Sequence, residues 1–105
     1  MNWILLIIAG FFEVGWPLGL KLTQTMSSKI PGFIIAGISI ILSGWLLWIA
    51  QKTIPIGTAY VVWTGIGAVG TLALGIIFFK DSTNILRLIS ASLIVIGIIG
   101  IRLAP

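Results

Sequence analysis

Four long apolar runs, separated by three short polar connectors, leave this chain almost no choice of solvent. The runs cover about residues 3–21, 31–50, 56–79 and 85–103 of 105. A helix needs about 20 residues to cross roughly 30 Å of hydrocarbon, and each run has about that length. The connectors read KLTQTMSSK, QKTIP and KDSTN. Pro31 and Pro55 stand where the second and third runs begin, as suits a helix N-terminus. Only 8% of the residues are charged and 59% are hydrophobic. Soluble domains are about a quarter charged, and a chain this short buries too little of its surface to hide so much apolar area. The sequence therefore predicts an all-α membrane protein with four transmembrane helices in a single domain, residues 1–105. The first run lacks a basic flank before it and an A-x-A-like site after it, so it reads as a span rather than a signal peptide.

The chain has no Cys and no His. That removes thiol chemistry, zinc sites and imidazole acid/base work. Its acids are one Glu and one Asp, so soluble enzyme classes are excluded and neither metal nor cofactor is expected. The formal net charge of +4 comes from six scattered bases. They form no patch for nucleic acid and read as membrane-flank residues. Lys21, Lys29, Lys80 and Arg87 fall on one side of the membrane, and Lys52 and Arg102 on the other. This positive-inside bias is small enough to permit insertion both ways up. Asp81, in the third connector, reads as a loop or helix-flanking charge.

The lone glutamate is the feature that carries function. Glu13 lies in GFFEVGW, ten residues past Trp3 and so about 15 Å into the first span. An ionisable group at that depth marks a functional site by default. Every base lies at a span end or in a connector, so none pairs with it inside the membrane. A protonated acid bonded to a neighbouring helix would explain tolerance of the residue but not its use. Gly10, Glu13 and Trp16 share one helix face. Tyr60 and Trp63 share a face of the third span, and Ser43 lies near the middle of the second. One acid, two indoles, a phenol and a hydroxyl suit a small organic cation, through charge and cation–π attraction. The expectation is that the Ser43 and Tyr60 hydroxyls orient the acid. Removal from water penalises a bare carboxylate, so the acid needs either a proton or a cation beside it. If the two exclude each other and the site opens to one side at a time, the result is antiport.

Four helices of this length enclose a pathway poorly on their own, and a dimer is expected. The GIGAVG stretch makes Gly65, Gly67 and Gly70 hinge candidates. Ser90 and Gly97, seven residues apart, form a candidate dimer seam on the fourth helix.

Across its whole length the chain resembles the small multidrug resistance family. The matching pieces are AGFFEVGW, the Ser43 helix leading to QKTIPIGTAYVVWTGIGAVG, GIIFFKD and GIIGIRL. The resemblance implies antiparallel dimers, often of dual topology, in a bacterial inner membrane. It also implies cation export in exchange for protons, both using the residue at Glu13, with Ser43, Tyr60 and Trp63 lining the site. EVGWPLGLK, with Trp16 three residues after the acid and Gly10 before it, is most similar to the guanidinium-exporter branch. Guanidinium can meet a carboxylate through two hydrogen bonds.

The chain departs from the family's pattern at Pro17, Arg102, Trp45 and Trp48, which leaves its exact substrate open. A broader exporter of quaternary ammonium or hydrophobic cations remains an alternative. So do a homodimer or a heterodimer with a paralogue, a passive cation pore, and a non-transporting membrane partner protein.

Overall fold

In the computed structural model, which describes residues 2–105, the chain forms α1 (Asn2–Thr25), α2 (Ile30–Ala50), α3 (Ile56–Phe79) and α4 (Ile85–Leu103). All four are long and apolar enough to cross a membrane. The helix α1 continues past Lys21 to Thr25, because LTQT is still compatible with a helix although no longer apolar. Pro31 occupies the first turn of α2, whereas Pro55 is the residue that precedes α3. Asn84 caps α4 by accepting the Arg87 backbone N–H at 2.9 Å. At the end of α3, Lys80 takes a left-handed conformation, φ 60°, and Asp81 N–H returns to the Gly75 carbonyl at 3.0 Å.

The principal extents are 49 × 34 × 17 Å, so the helices form a thin slab rather than a closed bundle. The chief packing is α1 on α2, then α1 on α3, while the backbone of α4 approaches only α3. Small residues set the α1–α2 distance. A Cβ added at Gly19 would lie 2.5 Å from the Gly32 carbonyl oxygen and 2.6 Å from the Ala36 nitrogen. One added at Gly32 would lie 2.5 Å from the Gly19 carbonyl oxygen. Backbone touches backbone here, and Gly15-x-x-x-Gly19 is the motif that allows it. Gly19→Ala is expected to force the helices apart and cost about 1–3 kcal/mol, the usual range for overpacking, read as an earlier unfolding transition in detergent.

Leu6, Ala50, Ile54, Ala59 and Val62 form the buried cluster at one end of the slab, with Trp3, Leu47, Trp63 and Ile66 packed around it. The helix-end bases lean on aromatic faces. The Arg102 guanidinium carbon lies 4.8 Å from the Trp3 ring centre, and Lys52 Nζ 4.4 Å from that of Trp48. Trp45 and Trp48 face outward on α2 and do not line the cavity beside Glu13. The helix α4 has no buried residue. Ser90 is exposed and gives its hydroxyl to the Leu86 carbonyl at 2.8 Å, and a Cβ on Gly97 would meet nothing within 4 Å.

Candidate functional site

Glu13 reaches its position because α3 has no side chain in its way. A Cβ added at Gly67 would lie 2.5 Å from Glu13 Cγ and 3.0 Å from Glu13 Cβ. Above and below, Gly10 receives Ile66, and Gly70 receives Val14. Gly65 receives Ile98 from α4. The three glycines expected to form a hinge therefore each accept a neighbour's side chain, and α3 is continuous through all of them. Close packing is reason enough for glycine at Gly65, Gly67 and Gly70.

The carboxylate has two unequal oxygens. Oε1 accepts a hydrogen bond from the Trp16 indole N–H. Oε2 is buried and has no hydrogen-bond partner among the described residues. A buried acceptor without a partner is costly to keep and asks for an explanation. Beside it lies a cavity of about 470 Å³, lined by Glu13, Trp16, Pro17, Tyr60, Trp63, Thr64, Gly67, Ala68 and Thr71. Tyr60 and Trp63 pack as a pair, ring centres 5.6 Å apart and tilted by 44°.

The sequence-based expectation about the hydroxyls is corrected here. Ser43 is fully buried, but it does not reach Glu13. Its hydroxyl donates to the Ala9 carbonyl at 2.7 Å and accepts the Trp63 indole N–H at 2.8 Å. It ties α1, α2 and α3 together and fixes the Trp63 ring that walls the cavity. Tyr60 lines the cavity without a hydrogen bond to the acid among the described residues. The group that orients Glu13 is Trp16, which lies one helical turn away and can donate from its own helix. Ser43→Ala is expected to leave the Trp63 N–H without its partner, costing about 1–3 kcal/mol and loosening the wall, seen as changed tryptophan fluorescence.

Glu13, Trp16, Tyr60 and Trp63 are thus brought to one cavity, with Ser43 behind the wall and Gly10 under Ile66. Sequence reasoning passed over Thr64 and Thr71 as lining residues. The signal was available. Tyr60, Thr64, Gly67 and Thr71 follow one another at four, three and four residues, a single helical stripe.

The model of the Small Multidrug Resistance protein family matches residues 1–94. The chain belongs to that family. Among its relatives, the guanidinium exporters of Proteus vulgaris and Escherichia coli (strain K12) are each 49% identical over 104 residues. The alignment covers 99% of this chain in both cases, and 99% and 98% of the respective relative. The guanidinium exporter of Salmonella typhimurium is 48% identical, over 99% of this chain and 98% of its own length. With four spanning-length helices, this small multidrug resistance transporter is a multi-pass membrane protein.

Proposed function

We propose that the chain exports guanidinium or small guanidinyl cations in exchange for protons, both competing for Glu13, across a bacterial inner membrane. The observation that carries this reading is the Glu13 carboxylate itself, with one oxygen held by Trp16 and the other buried, without a partner among the described residues and beside an aromatic-walled cavity. A planar cation with N–H donors around its edge satisfies such an oxygen and neutralises it. A proton does the same, and each excludes the other. The names of the relatives support guanidinium as the cation.

A dimer completes the transporter. The helix α4 has no buried residue, and Tyr60 remains 55% exposed although it walls the cavity. A second copy in the opposite orientation covers both in this reading, and a paralogue serves equally well in a heterodimer. Surrounding lipid covers the remaining apolar faces.

The aromatic pair also favours a second reading, export of quaternary ammonium or other hydrophobic cations, since ring faces attract any cation. Proteoliposomes separate the two. Guanidinium uptake coupled to proton movement supports the first. Proton movement with a quaternary ammonium cation but none with guanidinium rejects it.

A further inference from the structure

We infer that Pro17 gives the cation site an acceptor that an unbroken hydrogen-bond ladder would have consumed, the backbone carbonyl of Glu13. The inference rests on the guanidinium reading above and adds a specificity-determining residue to it. In an α-helix the N–H of residue i bonds the carbonyl of residue i−4. Residue 17 is the partner of residue 13, and proline has no N–H to offer. The helix α1 nevertheless runs unbroken from Asn2 to Thr25, so the Glu13 carbonyl still points along the axis toward the pyrrolidine ring. Residues four apart share a helix face. Glu13 and Pro17 both line the 470 Å³ cavity, and the carbonyl left without its N–H lies on the backbone between them.

The arrangement complements what the carboxylate lacks. Oε1 is engaged by Trp16, which leaves Oε2 as the only unused side-chain oxygen of Glu13. The carbonyl makes a second acceptor on the same residue. A cation with N–H groups on adjacent edges can use both. A quaternary ammonium, having no N–H, can make no hydrogen bond to the carbonyl. Pro17 thereby favours guanidinyl cations over bulkier cations that are held by charge and ring faces alone.

Glu13 is the only glutamate in the chain, so glutamate labelled with carbon-13 at its backbone carbonyl marks this one group. The isotope-edited infrared band of that carbonyl should shift when full-length protein is saturated with guanidinium chloride at sub-denaturing concentration. In Pro17→Ala the ladder is restored, and the band should already lie at the bonded position and not respond. Guanidinium affinity should fall about 10-fold, the scale of a lost hydrogen bond to a charged group. Alanine is the best helix former, so this variant folds at least as well as the parent. Pro17→Val restores the same N–H with bulk closer to the ring, and the same loss is expected if the carbonyl matters rather than the wall. A band in the parent protein that ignores bound guanidinium overturns the inference, as does unchanged affinity in both variants. A parent protein that binds no guanidinium at all overturns the functional reading, and this inference with it.

Discussion

Glu13→Gln is expected to abolish proton-linked cation exchange, lowering transport in proteoliposomes by at least about 100-fold, the scale of a lost charge-assisted pair. Glutamine has the shape of glutamate and can keep the bond from the Trp16 indole to Oε1. The variant should therefore fold and insert as the parent does, because its only change is the removal of a group that is costly to charge in the slab. What disappears is the competition. In the parent protein a proton on the carboxylate blocks the cation, so cation affinity should rise as that proton is removed. In the variant nothing titrates at this site, and residual binding should be flat with pH. A passive pore predicts current without a proton requirement, and a non-transporting partner protein predicts that the substitution is harmless. Transport that persists at the parent rate in Glu13→Gln removes the proposed mechanism.

Gly67→Ala should be nearly as damaging, although it adds one methyl group and no charge. The new Cβ would stand 2.5 Å from Glu13 Cγ and 3.0 Å from Glu13 Cβ. Neither atom is the free end of a flexible chain. Cβ is fixed by the α1 backbone, and the carboxylate beyond Cγ is held by Trp16. Either the helices part or Glu13 turns away from its cavity. Misplacement of a reacting group by about 1 Å costs on the order of 100-fold in positioned chemistry, and a similar loss of exchange is expected here. The discriminating measurement is transport against stability. A large loss of transport with a modest shift in the unfolding transition places Gly67 in the positioning of the acid. Normal transport would mean that Gly67 does not hold the Glu13 side chain in place.

Much of this was written in the sequence, for physical reasons that can be named. The four helices were legible because hydrocarbon thickness fixes the length of an apolar run. Glu13 was legible because an acid in such a run has no ordinary explanation. Helical spacing puts Trp16 on the face of Glu13 and Tyr60 on the face of Trp63, and the structure has both pairs in contact. What the spacing could not supply was which side chains meet across helices. Ser43 has the chemistry to orient an acid, but α2 delivers it to Ala9 and Trp63 instead. Gly65, Gly67 and Gly70 invite a hinge because glycine loosens a helix, and the structure adds that each leaves space which another side chain fills. The Gly19–Gly32 contact was invisible for the same reason, since it depends on the register of α1 against α2. Pro17, in the sequence only a departure from the family's pattern, lies on the wall of the cavity beside Glu13.

The central claim is that proton and cation occupy one carboxylate by turns, and calorimetry of guanidinium binding across a pH series tests it most directly. The account predicts that each cation bound at acid pH releases close to one proton. Apparent affinity should gain about tenfold per pH unit until the acid is fully ionised and then level off. The number of protons released, found by repeating the titration in buffers of different ionisation enthalpy, should fall to zero in Glu13→Gln. Guanidinium that binds with the same affinity at every pH, releasing no proton from the parent protein, would contradict the account.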